Sequence, residues 1–312
     1  MGMLDGKALV VTGAGRGIGR GVAEMAAAEG ARVVVNDPGV AMDGSGRDQS
    51  PSDEVVEAIR RAGGTAVANY DSVASVQGGE NIIKTCVDNF GRIDCLINVA
   101  GILRDRMVYN MSEQEWDDVI AVHLKGHFAC TKPAAVLMRQ QRYGRIINFS
   151  SQSGLVGNTG QANYGAAKSG IAGFTRVIAR DLGRYGITCN AIAPRALTRM
   201  TGDLGSAAAG ALSASEFAEM PPDYVAPMAL YLATDDAWNI NGQIFLVYGG
   251  TVSLLAHPTP YRTIFKPGEG QWTLDELSEM VPSVMAGVPN PAPPPTDLEI
   301  PGRSQAQPHA AS

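Results

Sequence analysis

Tyr164 and Lys168 stand four residues apart in Tyr164-Gly165-Ala166-Ala167-Lys168, a spacing that puts a phenol and an ammonium on one face of a helix. A phenol with its ordinary pKa of about 10 is a poor acid–base group at neutral pH. A neighbouring lysine cation, joined by any bound group that carries positive charge, would bring that pKa down and let the phenol exchange a proton with an alcohol or ketone oxygen. Ser151 ends a β-branched run shortly before Tyr164 and is placed to hydrogen-bond the same oxygen. Alone, a Tyr/Lys pair at this spacing also reads as a coincidence on a surface helix. Its meaning depends on what accompanies it.

What accompanies it is a glycine loop. Thr12-Gly13-Ala14-Gly15-Arg16-Gly17-Ile18-Gly19 follows an apolar run and opens an amphipathic stretch. Such glycines let the backbone turn tightly and approach a pyrophosphate, whose charge a helix N-terminus favours. The spacing is G-x-x-x-G-x-G rather than the common G-x-G-x-x-G. Asp37 ends the second apolar run, where a carboxylate accepts both adenosine-ribose hydroxyls and repels a 2′-phosphate, so the expected cofactor is NAD rather than NADP. Arg16 argues the other way as a cation able to pair with that phosphate, or stands as a solvated loop charge. Asp37 decides, because burying a carboxylate against a phosphate costs more than an idle arginine gains.

The elements that must position these groups alternate over about the first 250 residues. Ala8–Val11, Ala31–Val35, Ala66–Ala68, Ile93–Ile97, Arg145–Phe149, Ile187–Ala191 and Gln243–Val247 are short apolar runs. Helical stretches separate them: Gly17–Glu29, Asp53–Arg61, Gly79–Asn89, Ser112–Arg139 and Tyr164–Leu182. Apolar runs of four or five residues between helices are the mark of a parallel sheet buried on both faces. The expected fold is α/β, a Rossmann-type doubly wound sheet of about seven parallel strands with helices on both faces. Residues 1–250 form this domain. Residues 251–288 are an extension with one helix capped at Thr273, and residues 289–312 are a proline-rich, disordered tail. Pro38–Pro51 is a Gly/Asp/Ser-rich loop longer than such connections usually are.

Composition narrows the partners. With 25 Lys+Arg against 31 Asp+Glu and no dense basic run, nothing supplies the positive stripe that nucleic acid needs. No apolar run is long enough to span a membrane, and the start carries no signal-peptide layout, so the expectation is a cytoplasmic enzyme of a small-molecule substrate. Cys86, Cys95, Cys130 and Cys189 form no C-x-x-C, and three of them sit inside apolar segments and read as buried free thiols; no metal site is expected.

Taken together, Thr12–Gly19, Asn98-Val99-Ala100-Gly101, Ser151, Tyr164 and Lys168 resemble the short-chain dehydrogenase/reductases from about Lys7 to Gly250. The resemblance implies hydride transfer between C4 of nicotinamide and a carbinol or carbonyl carbon. Tyr164 would exchange the proton, Lys168 would hold the ribose and lower the phenol pKa, and Ser151 would orient the substrate oxygen. Asn98, Ala100 and Gly101 would lie near the cofactor, with Asp71, Ser72 and Val73 flanking the adenine. Pro194, Ala196, Leu197, Thr198 and Arg199 would meet the nicotinamide, although Pro194-Arg195 replaces the common Pro-Gly there. His123 takes the place of an asparagine that usually completes a water-mediated proton relay, and is either catalytic or structural.

Within that family, Val33–Asp37, Ala68–Val73, Gly101–Arg106, Val122-His123-Leu124 and Gly160–Tyr164 resemble the dehydrogenase part of type 2 peroxisomal multifunctional enzymes and their free-standing bacterial relatives. This implies NAD-dependent oxidation of (3R)-3-hydroxyacyl-CoA or of 17β-hydroxysteroids. The alternatives are an NADPH-dependent 3-oxoacyl-carrier-protein reductase and a non-catalytic dinucleotide sensor. Met107, Met111, Met200 and Trp116 are candidates for an acyl or steroid pocket, or for ordinary packing. The family also implies a homo-oligomer, a dimer or tetramer, paired through 112–139 and 164–182. The small residues Ala166, Ala167, Gly170 and Gly173 would either allow that approach or serve close packing on the sheet.

Overall fold

Every side chain of β1 (Ala8–Thr12) is buried, and so are the last four of β2 (Arg32–Asn36), because helices cover both faces of the sheet. Successive strand residues point to opposite faces. Leu9, Val11, Val33 and Val35 therefore share one core with Val22 of α1 (Gly17–Ala28) and Ile59 of α2 (Ser50–Arg61). Ala8, Val10 and Val34 enter the opposite core with Ile82 of α3 (Val76–Phe90), Met138 of α5 (Gly126–Gln141) and Leu182 of α7 (Ala162–Leu182). The structure is a computed structural model that describes residues 2–40, 45–46, 48–195, 221–295 and 298.

The remaining strands are β3 (Thr65–Asn69), β4 (Cys95–Asn98), β5 (Gly144–Phe149), β6 (Ile187–Pro194), β7 (Ile244–Tyr248) and β8 (Thr251–Leu254). They join one 8-stranded sheet in the order β3-β2-β1-β4-β5-β6-β7-β8. Strands β1 to β7 pair in parallel, as expected, and β8 adds an antiparallel edge. Gly249, at φ +47°, begins the reversal that lets Thr251 pair with Tyr248. Thr251 and Ser253 alternate with Val252 and Leu254, so no continuous apolar run announced this strand. Chain order reverses between β1 and β4, so the crevice for a ligand opens outside their carboxyl ends.

Two further differences bear on that crevice. The stretch expected as one helix from Ser112 is three pieces: α4 (Glu113–Ile120), a π-helical turn (Ala121–Lys125) and α5. A Ser112/Glu115 capping box starts α4. A short helix, α6 (Gln152–Val156), also stands between β5 and α7, capped by the Ser151 hydroxyl. Helix α8 (Ala226–Tyr231) returns to pack beside α1.

The chain divides into two units, Met1–Ala256 and His257–Ser312. The second contains α9 (Leu274–Met285), opened by a Thr273/Glu276 capping box, with Lys266 Nζ 2.9 Å from Glu276 Oε1.

Candidate active site

The glycine loop joins β1 to α1 at the sheet's switch point. Gly13 sits at φ +65°, and a Cβ there would lie 2.7 Å from the Ala100 Cα, so neither the dihedral nor the space admits a side chain. A Cβ on Gly15 would meet Pro51 at 2.8 Å and the Asp37 carboxylate at 2.9 Å. Arg16 is the N-cap of α1 but makes no capping hydrogen bond. Among the described residues, no side chain satisfies the N–H groups of Gly17, Ile18 and Gly19 that open the helix. Asp37 accepts the Gly15 N–H at 3.1 Å and the Gly39 N–H at 2.7 Å. An uncapped helix start beside a glycine-walled hollow, rimmed by one carboxylate, fits a dinucleotide: a diphosphate on the N–H groups, a ribose on Asp37.

The other expected cofactor contacts gather around the same crevice with differing freedom. Thr12 Oγ1 accepts the N–H groups of Val99 and Ala100 at 3.2 and 3.3 Å, fastening the segment after β4 to the glycine loop. The Asp71 carboxylate is held by the side-chain amides of Asn69 at 2.9 Å and Asn81 at 3.0 Å, while Ser72 caps its own turn and Val73 is buried. The Asn98 amide turns inward to Asn148 Oδ1 at 3.0 Å, joining β4 to β5. Pro194 ends β6. Ala196, Leu197, Thr198 and Arg199 lie outside the described residues, as does Met200.

Ser151, Tyr164 and Lys168 come together beyond the end of β5. The Ser151 hydroxyl, which accepts the Ser153 N–H at 3.2 Å, lies close enough to the phenol to favour its ionised form. Lys168 is buried; its Nζ donates to the Phe149 carbonyl at 2.6 Å and lies 5.5 Å from the centre of the Tyr164 ring. Burial pushes the phenol up to about 12, opposed by the neighbouring Ser151 hydroxyl, and the charge of Asp105 pushes it the same way as burial. Burial also lowers Lys168 to about 7. The expected depression of the phenol by lysine and a cationic nicotinamide together is therefore not a property of the chain alone, in which burial dominates and Ser151 is the group that opposes it.

His123 adjoins this trio. Its ring meets that of Tyr164 edge-on, with centroids 5.1 Å apart and planes at 88°. Its Nε2 is 2.8 Å from the Ile102 oxygen and 3.1 Å from the Ile102 nitrogen, and one nitrogen can serve only one of these. Its Nδ1 is buried without a partner. Burial, then the Lys168 charge, hold its pKa well below the ordinary value, so the ring is neutral. Gly101 makes room for it: a Cβ there would lie 2.3 Å from the His123 Cε1.

Three contributors escaped the sequence reading. His127 Nδ1 donates to the His123 carbonyl at 2.7 Å, and its Nε2 accepts the Phe149 N–H at 3.4 Å. Asn163 donates to the carbonyls of Arg104 and Glu115 at 3.0 and 2.9 Å, and accepts the Tyr164 N–H at 2.7 Å. Gln161 donates to Asp105 at 2.8 Å. For Gln161 and Asn163 the available signal was polar side chains crowded just ahead of Tyr164; His127, on α5, had none. Met107 and Trp116 are exposed and Met111 half-buried.

Among the described residues no cluster could hold a metal ion, and no helix is long and apolar enough to cross a membrane. Residues 7–208 match the family model for short chain dehydrogenase. The chain is 42% identical over 292 residues to hydroxyacyl-CoA dehydrogenase ChsB1 of Mycobacterium tuberculosis, covering 91% of this chain and 90% of that one. It is 45% identical over 251 residues to mouse peroxisomal multifunctional enzyme type 2, covering 80% of this chain but 33% of that larger protein. It is 42% identical over 252 residues to a 3-oxoacyl-[acyl-carrier-protein] reductase of Synechocystis, covering 80% and 98%. The crystal structure of a short chain dehydrogenase from Mycobacterium avium superposes with a TM-score of 0.80 at 43% identity, covering 95% of this chain and 98% of that one.

Proposed function

The chain belongs to the short-chain dehydrogenase family, and on that premise we propose that it is an NAD-dependent oxidoreductase interconverting (3R)-3-hydroxyacyl-CoA and 3-oxoacyl-CoA. The single observation that carries the chemistry is the Tyr164 phenol set beside a buried Lys168, whose Nζ lies 5.5 Å from the ring centre. In this reading Ser151 donates to the reacting oxygen and Tyr164 takes or returns its proton. Lys168 holds the ribose and supplies positive charge beside the phenolate. The bound dinucleotide supplies a hydride acceptor at its nicotinamide C4. A phenol held near 12 by burial needs that added positive charge before it can act as a base at neutral pH.

The NAD preference rests on Asp37, whose carboxylate lies against Gly15 where a 2′-phosphate would have to fit. This weighs against the second reading, an NADPH-dependent 3-oxoacyl-carrier-protein reductase, which similarity to the Synechocystis protein favours on substrate chemistry. A 17β-hydroxysteroid is the other substrate class in the first reading. The decisive experiment incubates the protein with NAD and a panel of (3R)-3-hydroxyacyl-CoA thioesters and 17β-estradiol, following NADH. NADH from a thioester is the expected result; none from any chain length or steroid overturns the reading.

A homo-oligomer belongs to the same proposal. Phe128, Val136 and Val177 are exposed on α5 and α7, and Gly173 faces open space. Ala167 and Gly170 instead pack within the chain, Gly170 against Leu124. Sedimentation at micromolar concentration checks this, a dimer or tetramer being expected. Four buried free thiols fit a reducing compartment such as the cytoplasm.

A further inference from the structure

The segment after β4 lies across the start of α7. Arg106 N donates to the Gly160 carbonyl at 2.8 Å, and Asn163 donates to the Arg104 carbonyl. Between those ties sits Asp105. Its carboxylate accepts the Gln161 side-chain amide at 2.8 Å, and Gln161 is in turn fixed by Asn158 at 3.1 Å. The flanking cations are committed elsewhere: Arg104 is 3.2 Å from Asp118, and Arg106 is 3.1 Å from Glu115. Lys168 donates to Phe149. Among the described residues, Asp105 is thus a carboxylate whose hydrogen-bond partner is neutral and which has no cation of its own. Its partner Gln161 is buried at the start of α7, one turn before Tyr164, so Asp105, itself exposed, is held close enough for its charge to act on the phenol.

We propose that Asp105 is a specificity-determining residue whose fixed negative charge excludes substrates with an anionic group next to the reacting carbinol. A 3-hydroxyacyl chain then enters as its neutral thioester, and the free 3-hydroxy acid is refused. The proposal rests on the thioester reading above. The physical basis is simple: the buried Gln161 amide fixes the carboxylate on the side facing the phenol, where an approaching anion is repelled, while a neutral thioester carbonyl feels little of this. The carboxylate of a 3-hydroxy acid is separated from its carbinol carbon by one methylene, so binding that carbinol at Tyr164 brings it into the field of Asp105. Selection of this kind works by repulsion, not by an added contact.

The test compares wild type with Asp105→Asn, using one (3R)-3-hydroxyacyl-CoA and its free (3R)-3-hydroxy acid with NAD. The expected result is a ratio of kcat/KM for acid over thioester that rises roughly tenfold or more in the variant; Asp105→Glu should keep the wild-type ratio. An unchanged ratio in a variant that still oxidises the thioester overturns this proposal alone. No thioester oxidation by wild type overturns the underlying reading as well. A measurement on wild type covers a variant that fails to fold: the free acid and its methyl ester are compared as inhibitors of thioester oxidation. The ester should bind roughly tenfold tighter or better, and equal binding overturns the proposal.

Discussion

His123 and Tyr164 meet edge to face, and the imidazole that approaches the phenol has an Nδ1 with no partner. A buried orphan nitrogen costs on the order of 1–3 kcal/mol. An asparagine could give Ile102 both a donor and an acceptor at once, which the ring's single Nε2 cannot. His123→Asn should therefore fold with stability within about 1 kcal/mol of wild type or above it, and keep kcat/KM within about tenfold. Denaturant midpoints and steady-state kinetics check both. A loss of ~100-fold or more would assign the ring an acid–base role.

Gly101→Ala tests the space that the ring requires. The added Cβ would press on the His123 Cε1, with Nδ1 and Nε2 each 3.1 Å away. Overpacking of this kind costs about 1–3 kcal/mol, and a thermal melt should record it. Pairing it with His123→Ser should recover much of the loss, since the two positions share one volume.

Tyr164→Phe keeps the ring and removes the exchangeable proton. Turnover should fall ~100-fold or more, while NAD binding, followed by quenching of protein fluorescence, stays close to wild type. Near-normal turnover would remove Tyr164 from the mechanism.

Asp37→Ala removes the carboxylate that rims the glycine loop. The ratio of kcat/KM with NAD to that with NADP should fall roughly tenfold or more, the scale of losing two charge-assisted hydrogen bonds and one like-charge repulsion. Unchanged preference would place cofactor choice elsewhere.

His127 links the site to acid stability. Burial, and secondarily Lys168, lower its pKa from 6.5 to about 3 in the folded chain. Between those values the unfolded chain binds a proton that the folded chain does not, so stability is fully present above 6.5 and falls as pH drops toward 3. His123, held well below its ordinary value, adds to the same loss. Melting temperature should drop across this window, and the slope should flatten in His127→Gln.

The sequence was legible where local chemistry dictates structure. Apolar runs of valine and isoleucine set out seven of the eight strands, and Gly13, Gly15 and Asp37 announced a crevice that the structure builds with those residues. It was not legible where a partner lies far along the chain. Nothing near Asn98 says that its amide will find Asn148 rather than face a ligand. Nothing near His123 says that Ile102 and Gly101 will enclose it. The π-helical turn escaped because propensity there favours an ordinary helix throughout, and tertiary fit overrides it.

That turn also sets a phase. It carries one residue more than an α-helical turn over nearly the same rotation, so deleting one residue between Ala121 and Lys125 would restore regular pitch and leave His127, Cys130, Ala134 and Met138 facing the sheet. A deletion just ahead of Cys130, where the helix is regular, has no such surplus to absorb and would rotate Cys130, Ala134 and Met138 by about 100° about the axis. The chain thus tolerates shortening at the turn and not one turn beyond it.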